Sequence, residues 1–170
     1  ALKVDIDNID IDIIISNLPY NVSSQILLKL LPNLKKYQRL VLMFQKEMAD
    51  RIIAKHDTKD YGRLSILSQF KSKICKGFNL SPNCFSPPPK VHSSVLVFAP
   101  KEKDENIDFT KLNKLVSIAF ENRRKQVLKG LSKAYKDVDF VTLFDNLHIR
   151  QDARAEQITV EQWMELSTFV

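Results

Sequence analysis

The sequence predicts an α/β protein in which a largely parallel sheet, closed by an antiparallel pair of strands, is followed by a small all-helical domain. Three observations predict it. Strand patterns alternate with amphipathic helical patterns up to about residue 70. Two strand patterns then follow each other without a helix between them, which favours antiparallel pairing. Beyond a charged stretch, 100–108, the apolar spacing becomes helical. A boundary near residue 105 divides the chain into 1–104 and 105–170.

Taken in order, Ile9 to Ile15 starts with period-2 alternation and ends in a β-branched run, as expected of a strand that becomes buried on both faces. Pro19 lacks a donor and pushes Leu18 towards extended geometry, so a shaped loop follows. Ser23 or Ser24 is the expected cap of a helix whose apolar face is Ile26, Leu27, Leu30 and Leu31, with Pro32 as its stop. Arg39 to Phe44 reads as a second buried strand, and Lys46 to about Lys55 and Arg63 to Phe70 as helices. Ile74 to Leu80 and Ser94 to Phe98 are the two directly joined strands, flanking a proline-rich loop. In the second domain Leu112, Leu115, Val116, Ala119 and Phe120 share a helix face, and further helices are expected at Lys125–Ala134, Asp139–Leu147 and Val160–Thr168.

Composition narrows the function classes. Lys and Arg total 26 against 20 for Asp and Glu, a net charge of +6, which suits a polyanionic partner without naming one. Cys75 and Cys84 lack the second pair of ligands a zinc site needs and read as reduced, structural thiols. His56, His92 and His148 are scattered, so no metal site is expected. No apolar run reaches the ~20 residues that cross a bilayer, and no leader pattern opens the sequence. A cytoplasmic setting, with no membrane partner, is expected.

Asn17-Leu18-Pro19-Tyr20 places a side-chain amide, a rigid carbonyl and an aromatic face just after a buried strand. That set suits an adenine N6 amine, whose two N–H donors need two acceptors and whose lone pair must stay unprotonated. The Asn17 side-chain oxygen and the Leu18 or Pro19 carbonyl are candidate acceptors, and together they aim the nitrogen lone pair. The same dipoles stabilise positive charge developing on nitrogen, so no strong base is required. Tyr20 offers a stacking face. The competing reading is an ordinary turn, for which Asn and Pro are common punctuators. Phe85 precedes Ser86-Pro87-Pro88-Pro89-Lys90-Val91, where a proline run stiffens the loop; Phe85 either forms the second wall of a base sandwich or joins the core.

Three segments in this order, Asn17-Leu18-Pro19-Tyr20-Asn21, Tyr61-Gly62-Arg63-Leu64-Ser65 and Phe85 to Val91, closely resemble the small-subunit ribosomal RNA adenine dimethyltransferases, the kasugamycin-resistance dimethyltransferases. Phe120-Glu121-Asn122-Arg123-Arg124-Lys125 also resembles the basic helix of that family's C-terminal domain. The resemblance implies a class I (Rossmann-like) methyltransferase sheet plus a helical RNA-binding domain. It implies S-adenosylmethionine as donor, and conversion of two adjacent adenines in a small-subunit RNA hairpin loop to N6,N6-dimethyladenosine. It makes Asn17 to Tyr20 and Phe85 the adenine-holding residues, puts Asn17 also against the donor, and implies a monomer working on the pre-ribosomal small subunit.

Arg123, Arg124, Lys125 and Lys129, on or near one helix, and Lys90 are the expected RNA-backbone contacts, against the alternative of a solvated charged face. The departure from the family is at the cofactor. Its glycine-rich loop and acidic ribose-holding residues lie upstream of the position matching Ala1, and Gly62, Gly77 and Gly130 do not form such a loop. The chain is therefore expected to be an N-terminally truncated piece of the parent enzyme, inactive alone. Two rival functions remain: an adenine methyltransferase of large-subunit RNA or DNA, and a non-catalytic RNA-binding or ribosome-assembly module.

Overall fold

The computed structural model describes residues 11–101 and 107–170. The chain divides into two compact units, one formed by Ala1–Ile53 with Lys71–Lys103, the other by Ala54–Phe70 with Asp104–Val170. The sequence reading put all of 1–104 in one domain, whereas 54–70 cluster with the helical residues. The physical reason is Tyr61: fully buried, it donates its hydroxyl proton to the Ile158 carbonyl at 3.0 Å, a tie that neither helix periodicity nor turn chemistry reveals.

The first unit holds a four-stranded sheet in the order β1-β2-β4-β3, with β1 Ile13–Asn17, β2 Arg39–Gln45, β3 Ser72–Leu80 and β4 Ser93–Pro100. β1 and β2 are parallel, Ile15 opposite Val41, and both β2 and β3 lie antiparallel to β4. The expected antiparallel closure is therefore present. The largely apolar β2 is central and its Leu40, Leu42 and Phe44 are fully buried, with Phe44 edge-on to Phe98 at 6.2 Å. The β3–β4 register shifts between Lys76 and Asn79. Gly77 sits there because a Cβ would come within 3.2 Å of the Val95 carbonyl oxygen.

β1 departs from expectation. Ile13 and Ile15 are 48% and 78% exposed rather than buried. Alternation puts them on one face, opposite Ile14, and no described element covers that face; β1 is also the edge of the described sheet. Residues 9 and 10 of the expected strand lie outside the described residues.

The helix α1, Ser23–Leu30, buries Ile26, Leu27 and Leu30 as expected, but its cap is Val22 with no side-chain bond. Ser23 instead donates its hydroxyl to the Tyr20 carbonyl at 3.1 Å, so neither serine caps the helix. Pro32 does not stop the chain's winding; it opens a 3₁₀ segment, Leu31–Lys36, where its missing N–H goes unneeded in the first turn. α2, Lys46–Ile52, ends three residues earlier than the sequence suggested, with Ile53 as its C-cap.

The second unit contains α3 (Arg63–Lys71, whose last residue belongs to the first unit), α4 (Phe109–Glu121), α5 (Val127–Ala134), α6 (Phe140–Asn146) and α7 (Val160–Ser167). Its core gathers Leu112, Leu115, Val116, Leu131, Phe144 and Trp163. Side-chain caps fix the helix starts: Asp108 accepts from the Thr110 and Lys111 amides, and Thr159 and Gln162 form a reciprocal capping box.

Candidate functional site

The adenine-site residues expected from sequence meet in one place. Asn17, Leu18, Pro19 and Tyr20 line a cavity of about 350 Å³ together with Phe85, Pro87 and Pro89, from a segment more than sixty positions further along the chain. All belong to the first unit. Local chemistry explains the placement. β1 ends at Asn17, and the buried side chain of Leu18 pins the next step of the loop. The Val22 amide then donates to the Pro19 carbonyl at 3.1 Å, closing the turn that leads into α1. That bond occupies one lone pair of the Pro19 carbonyl, which singles out Leu18 as the less committed of the two candidate backbone acceptors.

Phe85 follows a short 3₁₀ turn, Pro82–Cys84, and adopts extended backbone geometry. It is half-buried, as is Tyr20, so it is a wall of the cavity rather than a member of the core. Prolines 87 and 89, read from sequence only as stiffeners, also line the cavity. Proline carries no backbone donor, so this part of the lining presents ring surface and no N–H. Sequence reasoning missed Ser93. Its hydroxyl, fully buried at the start of β4, lies 2.7 Å from the Tyr20 hydroxyl. A hydroxyl pairing 73 positions apart leaves no periodic trace in a sequence.

The basic residues are arranged differently from the expected basic helix. α4 ends at Glu121, so Arg123, Arg124 and Lys125 occupy the turn to α5, and Lys129 lies on α5. Arg123 is engaged within its own unit: it pairs with Glu156 at 3.4 Å and donates to the Thr58 carbonyl at 3.2 Å. Arg124, Lys125 and Lys129 line a separate cavity of about 580 Å³ with Lys133, and every charged residue in that lining is cationic. Lys90 is exposed in the loop after Pro89, in the first unit, and is not part of either cavity lining.

Cys75 and Cys84 are free, and both are exposed where structural thiols were expected; Cys75 sits on edge strand β3 and Cys84 in the short turn before Phe85. Among the described residues no helix is long and apolar enough to cross a membrane.

A family model described as ribosomal RNA adenine dimethylase matches residues 5–170. The chain is 43% identical to the ribosomal RNA small subunit methyltransferase A of Anaplasma phagocytophilum (strain HZ) over 154 residues, 90% of this chain and 56% of that protein. It is 38% identical to the protein of the same name from Mycoplasma mobile, covering 92% of this chain and 62% of that one. The chain thus spans little more than half the length of the curated relatives it matches. A dimethyladenosine transferase from Plasmodium falciparum superposes with a TM-score of 0.78 at 28% identity, over 91% of this chain and 65% of that structure. The 23S rRNA methyltransferase ErmE shares the fold, with a TM-score of 0.64 at 19% identity over 92% of this chain and 64% of that one. These likenesses bear out the expected partial methyltransferase sheet followed by helices.

Proposed function

Since this chain belongs to the ribosomal RNA adenine dimethylase family, we propose that it carries the adenine-holding side of an S-adenosylmethionine-dependent RNA methyltransferase. The substrate is two adjacent adenines in a hairpin loop of small-subunit ribosomal RNA, and the product N6,N6-dimethyladenosine. The observation that carries this reading is the single cavity lined by Asn17 to Tyr20 and by Phe85. The Asn17 side-chain oxygen accepts one N6–H and the Leu18 carbonyl the other. Both bonds turn the nitrogen lone pair out of the ring plane, and the two carbonyl dipoles favour the positive charge that nitrogen gains as it is alkylated. Tyr20 and Phe85 supply the aromatic surfaces for a base taken out of its stack. Once alkylated, the nitrogen is acidic enough to lose its proton to water, so no side-chain base is needed.

The methyl donor, S-adenosylmethionine, supplies an electrophilic methyl group when bound. Of the residues present, Asn17 alone is assigned a place against it. The three glycines stand singly, Gly62 before α3, Gly77 in β3 and Gly130 in α5, and none forms a glycine-rich turn for the donor. The residues described do not make up a donor site, and residues 1–170 alone are proposed not to turn over. The helical residues 105–170 serve RNA binding: Arg124, Lys125 and Lys129 contact phosphates, with Lys90 as a contact from the catalytic part. The partner is the pre-ribosomal small subunit, met in the cytoplasm by a monomer.

The test is transfer of radiolabelled methyl to small-subunit RNA by the chain carried within the full span of its relatives. Asn17→Ala is expected to lower kcat by about a hundredfold or more, with RNA affinity retained. Unchanged methylation would overturn the reading. Loss of RNA binding in that variant would instead favour a non-catalytic binding module.

A further inference from the structure

We propose that Ser93 is a positioning residue: it holds the ring of Tyr20 at the angle and depth from which that ring stacks on the target base. This rests on the adenine-holding reading above. Tyr20 is fixed at its backbone end by the turn into α1, where its carbonyl accepts from the Ser23 hydroxyl at 3.1 Å. Without a second anchor its ring swings about the Cα–Cβ torsion, which moves the hydroxyl end furthest. Ser93 provides the anchor at 2.7 Å from that hydroxyl.

The anchor is rigid because of where it sits. Ser93 opens β4 and is paired on both sides, with Gln45 of β2 and Leu80 of β3. The preceding residue is held as well, the His92 carbonyl accepting from the Lys46 amide at 2.9 Å. The chain segment that brings Phe85, Pro87 and Pro89 to the cavity runs directly into Ser93. The bond therefore ties Tyr20 to the first residue of the strand into which the loop carrying Phe85 runs.

Mere satisfaction of a buried hydroxyl does not account for the bond. Ser94, the next residue, is equally buried and has no hydrogen-bond partner for its hydroxyl among the described residues. A serine in this strand tolerates burial unpaired. Ser93 also does not use the local backbone acceptors open to serine; its bond reaches a residue that lines the proposed base site.

The experiment is fluorescence titration of the chain with 8-azaadenosine, an emissive adenosine analogue that keeps the N6 amine and whose emission stacking quenches, alongside thermal melting. Ser93→Ala and Tyr20→Phe remove the same bond from opposite ends, and the second leaves the buried strand untouched. Each is expected to weaken binding about five-fold and to lower the quench at saturation. The double variant should be no weaker than either single one, because the two share one interaction. Ser93→Thr keeps a hydroxyl and should restore much of the quench, and Ser94→Ala should leave it unchanged. Wild-type affinity and quench in both Ser93→Ala and Tyr20→Phe would overturn this proposal alone, as would additive losses in the double variant. Failure of the wild-type chain to quench the analogue would overturn the base-binding reading and this one with it.

Discussion

Single residues here take roles that their type permits but their spacing does not announce. Tyr61 precedes a helix and looks like loop punctuation, yet it is a core residue whose hydroxyl closes on Ile158. Burial, and secondarily the negative charge of Glu161, push its phenol above the ordinary value. Unfolding returns it to about 10. The stability held by the neutral phenol is thus complete below about pH 10 and is lost as pH rises beyond it. Tyr61→Phe is expected to lower stability by about 1 kcal/mol at neutral pH and to flatten the alkaline decline; melting curves at neutral and strongly alkaline pH check both. Arg123 is a second case. Its ties to Glu156 and Thr58 are partly exposed, so Arg123→Ala should lower stability by at most about 1 kcal/mol. It should change the salt dependence of RNA binding less than Arg124→Ala does, and affinity measured across a salt series decides between them.

At the scale of elements, propensity and periodicity account for most of what is seen. Leu112, Leu115, Val116 and Ala119 share a buried face of α4, and the largely apolar run 39–45 forms a central strand. What spacing alone could not reveal was the cover over each face. Ile13 and Ile15 carry the same β-branched signature as a buried strand, but their exposure depends on what lies across the sheet and not on their own order in the chain. Leu42→Ala in β2 is therefore expected to cost about 3 kcal/mol, and Ile15→Ala less than about 0.5 kcal/mol, as read by denaturant unfolding. Helix ends followed cap chemistry where a side chain supplied it. Thr159 and Gln162 close the start of α7 reciprocally, and Thr159→Ala should cost about 1 kcal/mol. At α1 the cap prediction failed because the candidate serine found the Tyr20 carbonyl instead.

For the whole molecule, the candidate residues picked out along the chain are ones that the fold brings together. Asn17 to Tyr20 and Phe85 were identified from chemistry and resemblance, and the fold gathers them around one cavity. The grouping of 54–70 with the helical residues was not legible, since it depends on long-range burial of Tyr61. Nor was the separation of Arg123 from Arg124, Lys125 and Lys129, which depends on its long-range ties to Glu156 and the Thr58 carbonyl. The central claim is that this cavity recognises a base through an amine with two N–H donors. Calorimetric titration of the chain with adenosine and with inosine, which carries a carbonyl oxygen in place of the amine, tests it most directly. Adenosine is expected to bind at least about ten-fold tighter, with the preference abolished by Asn17→Ala; equal affinity for the two nucleosides would contradict the claim.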